Sequence, residues 1–154
     1  MRIKKMVLST AVALLMLCIP LPTAQAKPYI DNVPDYTDVI TTSQLVDIAE
    51  EYLGVKYCHG GTSPRCFDCS GFTQYIYNKR GIDIPRIADD QYRSATPVSS
   101  DEVVPGDLVF FLSNGYAYHV GIYVGDGKVL HSPHPGAKVR VETIWTDNVR
   151  FGKF

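Results

Sequence analysis

The sequence predicts an α+β domain, with helices first and an antiparallel sheet second. Three observations carry this. Between residues 42 and 93 apolar side chains recur at helical spacing. After Pro105-Gly106-Asp107 the apolar stretches shorten to strand length, separated by the turn signals Asn114-Gly115 and Gly125-Asp126-Gly127. Helical and extended segments do not alternate, so a parallel sheet built from βαβ crossovers is not expected.

The elements follow in order. Arg2, Lys4 and Lys5 precede the apolar run Met6–Ile19, and Ala24-Gln25-Ala26 closes the segment with a small-residue cleavage signal. This is the layout of a secretory signal peptide, expected to span 1–26. The apolar run is too short for the ~20 residues that cross a bilayer. Residues Leu15-Met16-Leu17 before Cys18 lack the small side chains of a lipid-attachment site. Residues 27–41 are polar, hold Pro28 and Pro34, and read as a leader. The predicted folded domain covers 42–154.

Thr42-Ser43 offers an N-cap, and Leu45, Val46, Ile48, Ala49, Tyr52 and Leu53 trace a helix that Gly54 stops. Residues 55–68 read as a loop. A second helix begins at Asp68 or Cys69 and buries Phe72, Tyr75 and Ile76. Lys79 and Arg80 suit the negative end of its dipole, and Gly81 ends it. Pro85 starts a short helix over 86–93. Strands are expected at 108–112, 119–124, 128–131, 139–143 and 149–153.

Composition narrows the function. A chain of 154 residues that is 45% hydrophobic and 20% charged is ordinary for one globular domain. The formal net charge is −1, and basic residues cluster only at the extreme N-terminus, so nucleic acid is not an expected partner. Loss of residues 1–26 removes three basic side chains and leaves 12 basic against 16 acidic, a net charge of −4. It also removes Cys18 and leaves Cys58, Cys66 and Cys69. An odd count in an oxidising compartment leaves at least one thiol outside any pairing within the chain.

Cys69 stands where the second helix starts. A helix N-terminus and a nearby imidazolium both favour a thiolate, so the expectation is a lowered thiol pKa and an ion pair with histidine. Gly71 would allow backbone or substrate to approach. His119 opens a predicted strand and is the candidate general base and acid. His131 ends the next strand and is the candidate to orient the imidazole; His134 lies three residues on, but in a loop between two prolines.

These residues fall within a longer motif series: Tyr57-x-x-Gly60-Gly61, Phe67-Asp68-Cys69-Ser70-Gly71-Phe72, Ile84-Pro85-Arg86, Pro105 to Phe111, His119 to Gly125 and Val129 to Ser132. In order and spacing the series resembles the NlpC-type cell-wall cysteine peptidases of the papain-like superfamily. The resemblance implies a papain-like fold with helices packed on an antiparallel sheet and the nucleophile at a helix N-terminus. It implies Cys69 as nucleophile, His119 as base and acid, and His131 as the orienting residue. It further implies Tyr57 near the oxyanion, and Asp68 and Ser70 at the amino end of a stem peptide. Asp68 and Ser70 are also plausible caps, and Arg86 reads as framework. The implied reaction is hydrolysis of the D-γ-glutamyl–diamino acid bond of peptidoglycan by a secreted, monomeric enzyme without metal or organic cofactor.

Two features depart from the family habit. Cys58 and Cys66 stand where cysteine is unusual, and their separation and the secreted setting point to a Cys58–Cys66 disulfide, worth roughly 2–3 kcal/mol. No wall-binding repeat precedes the domain. The rival readings are a papain-like amidase or acyl-transfer enzyme acting on another amide, an inactive wall-binding scaffold, and a zinc or thiol-switch protein using Cys58, His59, Cys66 and Cys69.

Overall fold

The structure is a computed structural model in which residues 36–154 are described. The expected signal peptide, 1–26, and most of the expected leader lie outside them. The elements are α1 (Tyr36–Glu50), β1 (Thr62–Ser63), β2 (Cys66–Phe67), α2 (Cys69–Asn78), α3 (Ala88–Ser94), β3 (Thr96–Val98), β4 (Leu108–Ser113), β5 (Tyr116–Gly125), β6 (Lys128–His131), β7 (Arg140–Thr143) and β8 (Val149–Lys153). The six longer-range strands form one antiparallel sheet in the order β3-β8-β4-β5-β6-β7, and β1 and β2 form a small ribbon.

Strand β4 explains the pattern of the sheet. Leu108, Phe110 and Leu112 pack with Val120, Ile122 and Leu130 against Leu45, Ala49, Phe72 and Ile76 of the helices. Val109 and Phe111 face the other way, among Val129, Tyr123, Ile144, Val149 and Phe151. A strand covered on both faces loses the polar-apolar alternation and reads as a continuous apolar run. Each large side chain fully buried here contributes about 1.5–3 kcal/mol relative to exposure.

Several expectations are corrected. Helix α1 begins at Tyr36 rather than at a Thr42-Ser43 cap. Residues 36–50 contain neither Pro nor Gly, so once Leu45 and Ala49 are packed the helix extends at little cost. It stops at Glu50, two tightened turns lead to Gly54 at φ +85°, and Leu53 is exposed rather than on the buried face. The predicted loop 55–68 contains the β1–β2 ribbon. Strand β8 does not continue the meander past β7; it returns beside β4 and leaves its other edge to the unpredicted β3, whose Pro97 is typical of an edge strand. His119 lies inside β5, which starts at Tyr116.

The β4–β5 pairing carries a bulge. Phe111 faces His119 and Leu112 faces Ala117, so Tyr118 is the extra residue. Bulges re-aim the neighbouring side chain, and this one immediately precedes His119.

Candidate active site

Asp68 fixes the start of α2. Its backbone is extended, and its Oδ1 accepts from Gly71 N–H at 2.7 Å. Oδ2 accepts from Gly60 N–H at 2.8 Å, and Arg86 donates to both oxygens. A carboxylate offers about four lone-pair positions, so Asp68 is fully engaged as cap and ion-pair partner. Arg86 also donates to Ser70 Oγ at 3.0 Å. The sequence reading gives Arg86 to the framework alone; the structure places it in the same cavity wall as Tyr57, Asp68, Cys69 and Ser70.

Phe67 anchors the segment before the cap. It is fully buried and makes edge or tilted ring contacts with Tyr52, Phe72 and Tyr75 at centroid distances of 5.8, 5.5 and 5.2 Å. On the other side of the loop Cys58 and Cys66 are joined in a disulfide, and Cys69 is a free thiol. That bond removes two of the four ligands the zinc reading needs. Gly71 explains why the loop lies so close to the helix: a Cβ there would sit 2.0 Å from the Gly61 carbonyl oxygen.

The backbone N–H of Val120, the residue after His119, and the N–H and hydroxyl of Ser70 point at the Cys69 thiol. These donors favour a thiolate, but burial and the Asp68 carboxylate outweigh them and push the thiol above its ordinary value. Burial, with His131 adding to it, pushes His119 down to about 3. Both shifts run against the expected thiolate–imidazolium ion pair and favour thiol and neutral imidazole. Burial and the neighbouring Cys69 and Asp68 raise the Tyr57 phenol, which shares the cavity.

His119, His131 and Glu142 form a chain. His119 Nε2 meets His131 Nδ1 at 2.7 Å, and His131 Nε2 meets Glu142 Oε2 at 2.8 Å. Arg140 pairs with Glu142 Oε1 at 2.9 Å. Burial works against ionised Glu142, but its hydrogen bonds to Arg140 and His131 hold it below its ordinary value. An ionised carboxylate only accepts. His131 Nε2 must then carry its hydrogen, His131 Nδ1 must accept, and His119 Nε2 must donate. The remaining His119 nitrogen, Nδ1, is left as the basic atom. His134 is outside this chain; it is exposed and its Nδ1 lies near the Pro135 carbonyl.

Glu142 was not among the residues singled out by sequence. The signal is the hairpin register: His131 pairs with Arg140, so alternation puts Glu142 on the same face as His131. Trp145 was also missed. It stacks on Phe111 with centroids 4.0 Å apart and planes 8° from parallel, and it lies 6.0 and 5.5 Å from the rings of His119 and His131. No periodicity marks it, because it lies two residues past the end of β7 in irregular chain.

Residues 54–150 match the family model described as NlpC/P60 family. The chain belongs to the NlpC/P60 family. A Listeria innocua protein named probable endopeptidase p60 is 46% identical over 94 residues, which are 61% of this chain and 20% of that protein. A Bacillus subtilis protein named gamma-D-glutamyl-L-lysine dipeptidyl-peptidase is 39% identical over 117 residues, 74% of this chain and 40% of that protein. The chain thus spans a fifth to two fifths of these relatives' length. Among solved structures, the NlpC/p60 domain of peptidoglycan hydrolase SagA is 37% identical with a TM-score of 0.67, covering 73% of this chain and 97% of that one. An NlpC/P60 protein from Bacillus cereus is 34% identical with a TM-score of 0.69, covering 73% and 39%. The α+β, papain-like layout expected of an NlpC/P60 domain is the one observed, with Cys69 at the first position of α2.

Among the described residues of this NlpC/P60 domain, no group of three or more His, Cys, Asp or Glu side chains is disposed to hold a metal ion. No helix among them is long and apolar enough to cross a membrane.

Proposed function

We propose that this domain hydrolyses the amide between D-γ-glutamate and a diamino acid in peptidoglycan stem peptides, through an acyl-enzyme on Cys69. The observation that carries the reading is the one-way hydrogen-bond chain Glu142–His131–His119, which leaves a basic Nδ1 on His119, while the backbone of the next residue, Val120, reaches the cysteine that opens the capped helix. The relative named gamma-D-glutamyl-L-lysine dipeptidyl-peptidase supports the substrate class.

The chemistry follows from that chain. Burial favours the neutral pair, so the Cys69 proton moves to His119 Nδ1 as Sγ attacks the γ-carbonyl carbon. Asp68 takes the Gly71 N–H with its side chain and the Phe72 N–H with its carbonyl. The Ser70 N–H is directed at the thiol. That leaves the Cys69 N–H, one of the first-turn donors with no acceptor inside the helix, for the developing oxyanion, with the Tyr57 hydroxyl as second donor. Collapse breaks the C–N bond, and the proton on Nδ1 goes to the leaving amine. Water, deprotonated by the same nitrogen, then opens the thioester and restores the thiol. Asp68 and Ser70 shape the wall around the acyl half, with Arg86 balancing the carboxylate of Asp68.

The Cys58–Cys66 disulfide and the basic-apolar-small pattern of residues 1–26 support action outside the cytoplasm, in the wall or periplasm. All the proposed site residues come from one chain, so a monomer suffices. The test is digestion of purified peptidoglycan by wild type and Cys69→Ala, with mass analysis of the fragments. New diamino-acid N-termini that are absent with the variant are expected; equal release by both overturns the reading.

A further inference from the structure

Two clefts meet at Tyr118. One, of about 480 Å³, holds Cys69 with Tyr57, Ser70 and Arg86. The other, of about 550 Å³, is lined by Tyr118, His134, Arg140, Thr143 and Trp145, with His119 in its wall. Both volumes suit a peptide fragment. Tyr118 is half-exposed and is the residue shared by both linings.

The proposed reaction needs the scissile amide to lie between the nucleophile and the proton donor. The acyl half then occupies the cleft that holds Cys69, and the amine that receives the proton of His119 enters the cleft that holds His119. We infer that the Trp145–Arg140 cleft is a leaving-group subsite for a diamino acid bearing a carboxylate. This rests on the reaction proposed above.

The lining chemistry fits that occupant. Trp145 is half-exposed, and its stacking on Phe111 holds the indole as a flat apolar wall for a chain of methylene groups. Arg140 spends one nitrogen on Glu142 Oε1 and keeps the other donors of its five-proton fork. Its side chain is 40% exposed and borders the cleft, which suits pairing with a carboxylate. Glu142 is engaged by both His131 and Arg140, so it is not a spare anion for a ligand ammonium. The carboxylate is either the main-chain terminus of the leaving group or the side-chain carboxylate of a diaminopimelate.

The test uses four substrates that share the acyl half L-Ala–γ-D-Glu and differ beyond the cleaved bond: L-Lys, L-Lys amide, meso-diaminopimelate amide and 4-nitroanilide. Wild type is expected to favour L-Lys or diaminopimelate amide over L-Lys amide by about 10-fold in kcat/KM, whichever carboxylate Arg140 reads. Arg140→Gln should collapse that ratio and Arg140→Lys should restore part of it; a purely structural role would lower all substrates alike. Trp145→Ala should cut kcat/KM for the peptides about 10-fold more than for the anilide. Trp145→Phe keeps the stack on Phe111 and should give a smaller cut in the same sense. Cys69-dependent cleavage with unmoved ratios overturns the subsite alone. Absence of cleavage of all four overturns the reaction and the subsite with it.

Discussion

The buried Ser132 hydroxyl donates to the Phe67 carbonyl oxygen at 2.8 Å, across 65 positions of sequence. One end of this bond is the residue after His131; the other is two residues before Cys69. It therefore ties the histidine chain on the sheet to the cap of the nucleophile helix. Removing it should loosen the register between the two next to the site, although backbone bonds such as Gly54 N–H to Val139 and Tyr57 N–H to Ala137 still join them elsewhere. The Phe67 carbonyl still accepts from Cys58 N–H at 3.0 Å, so Ser132→Ala removes one of its two bonds, and we expect a loss of about 0.5–1.5 kcal/mol in urea unfolding. The kcat should fall more than KM rises, because the thiol and the imidazole lose their fixed separation. An unchanged kcat would remove this bond from the catalytic geometry.

Gly121 sets how closely β6 approaches β5. A Cβ there would meet Val129 Cγ2 at 2.4 Å and His131 Cβ at 2.9 Å. Gly121→Ala must push His131 away from His119, so we expect about 1–3 kcal/mol of destabilisation and a kcat loss of roughly 100-fold. A folded, fully active variant would show that the His119–His131 bond tolerates displacement.

Glu142 sets the direction of the hydrogen-bond chain. Glu142→Leu removes the acceptor, frees His131 to adopt either tautomer, and should lower kcat by roughly 10–100-fold, the range seen when a residue that orients a histidine is lost. Glu142→Gln can still accept from His131 Nε2–H through its carbonyl oxygen and should lose less. Imidazole nitrogen shifts by NMR should report hydrogen on His119 Nε2 in wild type and a mixture in Glu142→Leu. The same spectrum in both would refute the tautomer assignment.

The histidines also couple stability to pH. His119, pushed from 6.5 down to about 3, and His131, also lowered, bind fewer protons folded than unfolded below about 6.5. The unfolded state thus holds the excess protons between about 6.5 and 3, and unfolding free energy rises with pH in that window. Stability is full above about 6.5 and is lost as pH falls, by up to about 1.4 kcal/mol per pH unit for each proton. Urea melts at pH 7, 5.5 and 4.5 should show this slope, and His119→Gln should flatten it. Equal slopes would place the acid sensitivity elsewhere.

The thiols give a simpler test. In native protein cleaved of its first 26 residues, an alkylating reagent should modify Cys69 alone, and Cys58 and Cys66 only after reduction. Reduction should cost roughly 2–3 kcal/mol of stability for a loop this short. Modification of Cys66 without reductant would break the pairing.

The sequence by itself determined the elements near the site, because each rests on a local rule. Asp68 and Gly81 bracket α2 through capping and backbone freedom, and the apolar runs 108–112, 119–124 and 128–131 fall in β4, β5 and β6. The motif series around Cys69, His119 and His131 was also legible in order and spacing. Tertiary structure decided what depends on register, burial and distant partners. Glu142 joins the chain only because β6 pairs with β7 at His131 and Arg140. Arg86 enters the site only because a loop brings it onto Asp68. Trp145 covers the histidines only because β4 presents Phe111 beneath it. The upward push on the Cys69 thiol, opposite to what a helix terminus alone predicts, has the same origin: a helix terminus is a local feature of sequence, whereas desolvation and a neighbouring carboxylate exist only once the chain has closed around the thiol.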